Sequence, residues 1–214
     1  MTKLVLASTS PARLALLKAG GIDPVTIAPG VDEDAAVERA TSMGLIAGTA
    51  DMVQFLAKAK AEAVLDRIEA QNALIIGCDS SLEFEGQALG KPHEPQVAID
   101  RWKQMRGRAG TLYSGHWVID NRNPQPGVVP AATGRTSSTI VHFADISDAE
   151  IEAYVATREP LKVAGAFTID GTGGAFIRSI EGDSHTVVGL SLTTLRELTL
   201  KLGIEYSSLW RVSQ

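Results

Sequence analysis

Residues 74–92, LIIGCDSSLEFEGQALGKP, decide the fold that we expect for this chain. The stretch begins with three apolar residues of high β-propensity, and Gly77 ends them, as expected of a strand that is covered on both faces. Asp79 follows at the predicted carboxyl end of that strand, where open α/β sheets present catalytic groups to a ligand. A second short strand over 82–85 turns at Gly86. The stretch therefore predicts an α/β fold with Asp79 at a functional edge of the sheet.

The end of the same stretch, Gly90-Lys91-Pro92, predicts a lysine that folds back towards Asp79. Pro92 restricts Lys91 to an extended conformation, and Gly90 lets the backbone approach a ligand closely. An acidic and a basic side chain would then share one cleft. The alternative is that Asp79 only ends a strand and Lys91 is a solvated loop residue. A P-loop is excluded, because its Gly-Lys pair is followed by Ser or Thr and not by proline.

Composition predicts one ordinary folded domain over 1–214. The chain has 44% hydrophobic and 21% charged residues, which is enough apolar material for a normal core. Its formal net charge of −5 argues against non-specific binding to nucleic acid, which needs a basic face. A phosphate ligand would have to be met by a local cluster of positive charge or by a metal ion.

The sequence predicts a soluble, cytoplasmic protein. No apolar run approaches the ~20 residues of a membrane span, and the first residues lack the apolar core of a signal peptide. The single cysteine, Cys78, excludes an intrachain disulfide and suits a reducing compartment; we expect it to be a small core residue. No zinc site is expected, because metal-ligand spacing is absent among the histidines His93, His116, His142 and His185.

The first residues predict a strand, a turn and a helix that opens on an anion site. Residues 3–7 predict a short strand that is apolar from Leu4 onwards. Ser10 is a suitable N-cap, Pro11 suits the first helical position and Gly20 ends the helix. A helix N-terminus attracts anions, but its dipole opposes a cation such as Arg13 unless an anion lies between them. Hydroxyls, backbone amides and Arg13 would then converge on phosphate. The alternative is a capped helix with an incidental surface arginine.

Further elements follow from periodicity and capping. Residues 25–28 predict a strand, the acidic loop 29–34 is either solvated or supplies a metal ligand, and 51–71 predicts a long amphipathic helix. The lysines of that helix are expected to face solvent, although one of them could reach the cleft. Later elements are helices over 94–105, 147–157 and 191–202 and strands over 111–120 and 135–146, with a capping box at 147–150 and a proline-rich loop at 121–134.

The segment 159–189 carries glycines at 165, 171, 173, 174, 182 and 189. We expect it to form short strands. Two explanations of the glycine spacing stay open: close approach of the backbone to a ligand, or a run of tight strand turns.

Taken together, these segments resemble the Maf family of nucleoside triphosphate pyrophosphatases. The family patterns LASxSPRRxxLL, IIGADTxVxxDGxxLGKP, EPxDKAGAYGIQG and IxGDYxxVVGLPL have counterparts along nearly the whole chain. The matching segments are LASTSPARLALL (6–17), VDED (31–34), LAKAKAEAV (56–64), IIGCDSSLEFEGQALGKP (75–92), EPLKVAGAFTIDG (159–171) and IEGDSHTVVGLSL (180–192).

The resemblance implies the α/β fold of Maf and Ham1 (ITPase-like) proteins: an elongated, mixed and twisted β-sheet with flanking helices and two lobes around a central cleft. It implies a house-cleaning nucleotide pyrophosphatase, a hydrolase acting on acid anhydrides. The reaction would cleave a nucleoside triphosphate between its α and β phosphates and give a monophosphate and pyrophosphate. The alternative is a nucleotide-binding regulator of septum formation that does not hydrolyse its ligand.

The resemblance also implies roles for single residues. Asp79 would be the catalytic acidic residue, acting as a general base or through a metal-bound water. A divalent ion, Mg²⁺ or Mn²⁺, would be held by Glu33 and Asp79. The positions that match the substrate-binding set are Ser8, Ser10, Arg13, Lys60 and Lys91. The nucleoside triphosphate is the expected partner, nucleic acid and membranes are not, and a homodimer is compatible with the family.

Three positions of the family pattern determine the preferred base. Here they are Ala12, Ser80 and Asp170. The branch that acts on dTTP and UTP has Arg, Thr and Gln there, and the branch that acts on 7-methyl-GTP has Trp, Gln and Glu. The chain matches neither branch, so no base is assigned, although non-standard or pyrimidine triphosphates are the expected class. Val163 and Gly110 stand where the family often has Lys and His, and receive no role.

Overall fold

The computed structural model describes residues 2–211 and has a mixed α/β fold. Seven strands of this part form one sheet in the order β2-β1-β3-β5-β6-β7, and β4 pairs with β3 outside that path. The strands are β1 (Leu4–Ala7), β2 (Val25–Thr26), β3 (Ala73–Phe84), β4 (Gln87–Leu89), β5 (Ala109–Asn121), β6 (Ala132–Phe143) and β7 (Ile177–Glu181). β1 pairs in parallel with β2 and β3, whereas β4 and β7 pair antiparallel with β3 and β6. The predicted α/β class is therefore confirmed.

Seven α-helices lie between and after the strands of residues 2–211. They are α1 (Pro11–Ala19), α2 (Glu33–Ser42), α3 (Thr49–Glu62), α4 (Pro95–Met105), α5 (Asp148–Ala156), α6 (Ser184–Val188) and α7 (Leu192–Lys201). Short 3₁₀ helices lie at Ile68–Ala70, Glu159–Lys162, Ala164–Ala166, Thr172–Phe176 and Tyr206–Leu209. None of the helices in residues 2–211 has the length and apolar character needed to span a bilayer.

The chain divides into two compact units, each with its own core. The larger unit comprises Met1–Asp79, Ser114–Ser137 and Gly189–Gln214, and the smaller unit comprises Ser80–Tyr113 and Ser138–Val188. Strands β3, β5 and β6 each contribute residues to both units. The prediction of one family domain over 1–214, with two lobes about a cleft, stays a prediction.

The larger unit is built around β1, which is buried along its whole length. Because side chains alternate across a strand, Leu4 and Leu6 join one apolar cluster, with Leu17 of α1 and Leu195 of α7. Val5 and Ala7 join the other cluster, which includes Ala61 of α3. Cys78 lies in the first of these clusters, and burial raises the pKa of its thiol to about 12. The expectation that Cys78 is a core residue is confirmed.

The smaller unit has an aromatic core centred on Trp102 of α4. The indole is fully buried and makes edge-to-face contacts with Phe143, Tyr154 and Phe176, with ring centroids 5.5–5.9 Å apart. Its Nε1–H donates to the carbonyl of Ala166 at 2.7 Å, so the buried polar atom is satisfied. The core thereby ties α4 to α5 and to the segment that follows it.

The predicted end of the central strand at Gly77 is wrong. β3 continues without interruption from Ala73 to Phe84, so Asp79 lies inside a strand and the expected second strand is the continuation of the first. The turn predicted at Gly86 is confirmed: Glu85 and Gly86 both have positive φ, and Leu82 pairs with Leu89 across the hairpin. Gly77 instead allows α3 to pack closely against β3.

Other boundaries also differ from expectation. The acidic loop predicted over 29–34 ends at Asp32, which caps α2, and Glu33 is the first residue of that helix. No element was predicted for residues 35–42. The helix predicted over 51–71 ends at Glu62. The segment 159–189 holds mainly 3₁₀ helices and α6, with β7 as its single strand among the described residues, so the expected run of short strands is wrong. The capped helices α1, α5 and α7 agree with their predicted starts.

Candidate active site

The site in the larger unit depends on how closely α3 packs against β3. A Cβ atom at Gly77 would lie 2.1 Å from the carbonyl oxygen of Ala57 and 2.9 Å from the Cβ of Ala61. The absence of a side chain at Gly77 and the small side chains on α3 therefore let helix and strand touch backbone to backbone. Lys60 lies between these two alanines on the same helix. This close contact places Lys60 beside Asp79, which lies two residues after Gly77 on β3.

Lys60 is buried between two carboxylates. Its Nζ lies 2.6 Å from Oδ1 of Asp79 and 2.9 Å from Oε1 of Glu33. The side chains of Lys60 and Asp79 are only 8% and 12% exposed, whereas that of Glu33 is 46% exposed. The prediction that the lysines of this helix face solvent is therefore wrong for Lys60. It holds for Lys58, whose Nζ pairs with Glu62 on the surface.

The helical spacing of Lys60 from buried residues is enough to predict that Lys60 is buried. Lys60 follows Val53, Leu56 and Ala57 by seven, four and three residues, and all three are buried. A residue at those spacings shares the apolar face of the helix. A lysine placed there has to be paired, because burying an isolated charge is costly.

Burial raises the pKa of the Asp79 carboxyl above its ordinary value. The nearby cations Lys60 and Arg13 oppose that effect, and the Lys60 hydrogen bond acts in the same direction as the cations. Glu33 adds to the rise, because two carboxylates close together disfavour each other's ionisation. Asp79 is thus a carboxylate with increased basicity, held in a fixed position by an ammonium group.

The turn before α1 brings two serines and an arginine together. Ser10 caps the helix and accepts a hydrogen bond from the amide of Arg13 at 3.4 Å. Oγ of Ser8 accepts from the amide of Ser10 at 3.1 Å and from Nη1 of Arg13 at 3.3 Å. The Ser8 hydroxyl still carries its own donor hydrogen after accepting both bonds. A helix N-terminus with a serine donor and a guanidinium is suited to an anion such as phosphate.

Arg13 is fixed by Gly189, a residue that the sequence analysis named but did not link to Arg13. Its Nε–H donates to the carbonyl of Gly189, 176 residues further along the chain, at 2.8 Å. Arg13 also lies close enough to Asp79 to lower the pKa of that carboxyl. The alternative of an incidental surface arginine is therefore wrong. The charge of Asp79 attracts the guanidinium of Arg13 and so offsets the unfavourable interaction of Arg13 with the helix dipole.

A divalent cation is compatible with these carboxylates. Lys60 contacts one oxygen of Asp79 and one of Glu33, and Mg²⁺ needs only one or two protein carboxylates when waters and phosphate oxygens complete its shell. Within residues 2–211, no cluster of three His, Cys, Asp or Glu side chains is arranged to hold a metal by itself. A metal at this site would be held by Asp79 and Glu33, with waters or ligand oxygens completing its shell.

The remaining predicted residues lie on both units. Ala12 is in the first turn of α1 in the larger unit. Ser80 on β3, Lys91 after β4 and Asp170 belong to the smaller unit. Lys91 and Asp170 are exposed. That Lys91 folds back towards Asp79 stays a prediction.

His116 is a buried polar residue for which the sequence analysis predicted no role. Its Nε2 accepts from the amide of Ser191 at 2.8 Å, and its Nδ1 lies 3.3 Å from the carbonyl of Arg135. Burial lowers its pKa to about 4, so the ring is neutral at pH 7 and its Nδ1 donates to that carbonyl. A lone histidine within an apolar strand gives no local signal of these partners, which come from distant segments.

Two solved structures are similar to this chain over nearly its whole length. They are a dITP/XTP pyrophosphatase from Mycobacterium abscessus, with 12% identity and a TM-score of 0.39, and the Ham1 protein of Staphylococcus aureus, with 15% identity and a TM-score of 0.40. Each comparison covers 94% of this chain and 95% of the other. Both scores lie below 0.5, which is too low to establish a common fold.

Sequence relatives give a much stronger result. A protein of Leifsonia xyli subsp. xyli is 53% identical over 97% of this chain and 96% of its own length. Proteins of Streptomyces avermitilis and Mycobacterium marinum are 48% and 45% identical, over 97% and 98% of this chain and 94% and 97% of their own. All three are named nucleoside triphosphate pyrophosphatase. The profile of the family described as "Maf: Maf-like protein" matches residues 3–202. With this match over almost all of its length and relatives near 50% identity, the chain belongs to the Maf family.

Proposed function

We propose that this protein is a nucleoside triphosphate pyrophosphatase that hydrolyses the bond between the α and β phosphates. The observation that carries the proposal is the buried Asp79–Lys60 pair beside the helix N-terminus that holds Ser8, Ser10 and Arg13. The names of relatives up to 53% identical agree with it. Water would attack one phosphorus, and the products would be a nucleoside monophosphate and pyrophosphate.

Each group has a defined task in this mechanism. Asp79 accepts a proton from the attacking water, and the raised pKa of its carboxyl makes it a stronger base than an exposed aspartate. Lys60 fixes the orientation of that carboxylate through Oδ1. Ser8, Ser10 and Arg13 bind phosphate oxygens, and Lys91 supplies a further cation. Phosphoryl transfer depends mainly on such positioning and charge neutralisation.

Mg²⁺ or Mn²⁺ is the proposed cofactor, held by Asp79 and Glu33 together with the substrate phosphates. When bound, the ion would neutralise phosphate charge and lower the pKa of a coordinated water. We propose further that Ala12, Ser80 and Asp170 contact the base and that the substrates are non-standard or pyrimidine triphosphates. The cytoplasm is the proposed location, and a homodimer is a compatible assembly.

The decisive experiment measures pyrophosphate release from a panel of ordinary and modified triphosphates with each metal. Wild-type protein should hydrolyse at least one of them, and Asp79→Asn should reduce turnover by at least about a hundredfold, the lower range for a positioned general base. Asp120→Asn is the matched control, because Asp120 pairs with Arg122 at 2.8 Å on β5 and has no role in this mechanism. It should keep turnover. Tight nucleotide binding without any product would overturn the proposal and favour a non-hydrolytic regulator.

A further inference from the structure

The glycine-rich segment of the smaller unit wraps around a carboxylate of the chain itself. Oε1 of Glu159 accepts from the hydroxyls of Tyr154 and Thr168, at 3.1 and 2.5 Å, and from the amide of Gly173 at 2.9 Å. Oε2 accepts from the amide of Thr172 at 3.0 Å. Glu159 is thus held by four donors that come from α5 and from both ends of the segment 168–173.

The glycines of this segment are needed for that close approach. A Cβ atom at Gly171 would lie 2.9 Å from the carboxylate of Glu159, and one at Gly173 would lie 2.3 Å from the hydroxyl oxygen of Tyr154. Contacts this short do not occur with a real side chain. At these two glycines the backbone closely approaches side chains of the protein itself, Glu159 at Gly171 and Tyr154 at Gly173. Approach to a ligand, one of the two explanations that the sequence left open, stays a prediction.

The bonds keep Glu159 ionised. Partial burial of the carboxyl acts to raise its pKa, but the bonds from Thr168 and from the amides of Gly173 and Thr172 outweigh this and lower the pKa to about 2. Charge-assisted hydrogen bonds are stronger than neutral ones, so the hydrogen bonds to the ionised Glu159 persist at neutral pH. The ionised Glu159 acts as a rigid anchor.

Two of the residues bonded to Glu159 flank Asp170 in the sequence. Thr168 lies two positions before it, and Thr172 lies two positions after it. Asp170 itself is exposed, and its carboxylate has no hydrogen bond or ion pair to any of residues 2–211. The backbone around Asp170 is therefore held, and its side chain is left for an external group.

We propose that Glu159 is a positioning residue for base selectivity: by holding both sides of Asp170, it fixes the side chain that contacts the nucleoside base. This inference rests on the proposed function, in which Asp170 is one of the residues at the base. Glu159 does not touch the substrate. Glu159 acts by fixing the position of the Asp170 side chain. Small displacements of a group that contacts the substrate change reaction rates strongly.

Three variants test the role of Glu159. Glu159→Gln keeps the size of the side chain but replaces one acceptor oxygen by a donor, so one backbone amide loses its partner. Thr168→Val removes a single hydroxyl donor and is a milder change that should fold if the first does not. Glu150→Gln is the matched control, because Glu150 accepts from the amide and hydroxyl of Ser147 at 2.8 Å in the capping box of α5.

Two measurements are made on each variant: hydrogen exchange of the amides of 168–174, and the ratio of kcat/KM for two triphosphates that differ only in the base. In Glu159→Gln and Thr168→Val, exchange should become faster and the ratio should shift by roughly tenfold, the effect of losing one hydrogen bond to a charged group. In Glu150→Gln neither should change. A purely structural role would lower kcat/KM for both substrates alike.

An unchanged ratio in an active variant with faster exchange would overturn the selectivity role, and so would unchanged exchange. If Glu159→Gln does not fold, Thr168→Val decides by the same two criteria. Wild-type protein that releases pyrophosphate from no triphosphate would instead overturn the proposed function, and the selectivity role with it. The two failures are therefore distinguished by the activity of the wild type.

Discussion

At the scale of single residues, the Asp79–Lys60 pair is not explained by stability. The folded-state pKa of Asp79 lies above its unfolded value, so the folded protein becomes more stable as pH falls through that pKa and less stable above it. Burying the ionised carboxylate is thus unfavourable at neutral pH despite the contact of 2.6 Å. In Asp79→Asn the amide oxygen can still accept a hydrogen bond from Lys60, and Lys60 keeps Glu33 as its charged partner. We therefore expect the variant to lose activity without a large fall in its thermal unfolding midpoint. A buried ionisable group that lowers the stability of the folded protein is typical of catalytic sites.

The backbone of Arg158 is held in an unfavourable conformation. It follows α5 with φ of 65° and ψ of −1°, the left-handed region in which glycine commonly ends helices. Its side chain has no hydrogen bond or ion pair to any of residues 2–211. Arg158→Gly should therefore raise the free energy of unfolding by about 1 kcal/mol, the usual cost of a left-handed residue with a Cβ atom. Urea denaturation at neutral pH measures the change.

The control for this prediction is Arg158→Ala, which removes the same side chain but keeps the Cβ atom. Its stability should stay within about 0.5 kcal/mol of wild type, as for most surface substitutions. Equal stabilisation in both variants would mean that the guanidinium, and not the backbone, is the unfavourable feature.

At the scale of elements, the contact between α3 and β3 builds the site, and one added methyl group tests this. Gly77→Ala would place a Cβ atom 2.1 Å from the carbonyl of Ala57, on the rigid backbone of α3. The helix has to move away, which should cost about 3 kcal/mol or more as severe overpacking. Because Lys60 moves with the helix, pyrophosphate release should fall by more than the loss of folded protein explains.

Gly48→Ala provides the comparison for this variant. Gly48 precedes α3 with an extended backbone at φ of −167°, and nothing lies within 4 Å of a Cβ atom added there. Its cost should stay below about 1 kcal/mol, as for an N-cap change without a lost side-chain bond, and activity should be retained. If Gly77→Ala were as stable and as active as Gly48→Ala, the contact of α3 with β3 would not be needed for the site.

The elements also show which local signals predict structure. The Ser10-Pro11 start of α1 and the capping box at 147–150 were predicted correctly, because the groups that satisfy a helix end lie within a few residues of it. The sequence wrongly predicts a strand end at Gly77, because a glycine required by a helix from another segment looks the same in sequence as a strand terminator. The glycines around 171 were ambiguous for the same reason. Their partner, Glu159, is twelve residues earlier.

At the scale of the whole molecule, the candidate site was predictable only in part. Asp79 was predicted from its strand, and the Ser10–Arg13 turn from its helix start. Lys60 and Glu33 came from the family resemblance. The helical repeat marks Lys60 as buried, but no local pattern shows which residues of α2 and β3 it contacts. The link from Arg13 to Gly189 and the partners of His116 were not predicted. Both join segments that are far apart in the chain.

His116 connects three distant segments of the larger unit, and this predicts acid sensitivity of the fold. The neutral ring accepts from Ser191, the N-cap of α7, and donates to Arg135 on β6. Its pKa is lowered from 6.5 to about 4 in the folded protein, so the unfolded chain binds the proton first. The stabilisation is therefore complete above pH 6.5 and is lost as pH falls towards 4. At 1.36 kcal/mol per pKa unit, the loss is about 3 kcal/mol.

The measurement compares wild type with His116→Gln by urea denaturation between pH 7.5 and pH 4. The glutamine amide can accept from Ser191 and donate to Arg135 but does not titrate in this range. Other groups titrate alike in both proteins, so the difference between the two free energies of unfolding isolates His116. That difference should change by about 3 kcal/mol in favour of the variant as pH falls from 6.5 to 4. Parallel curves would show that the His116 contacts survive protonation and that acid sensitivity, if observed, comes from other groups.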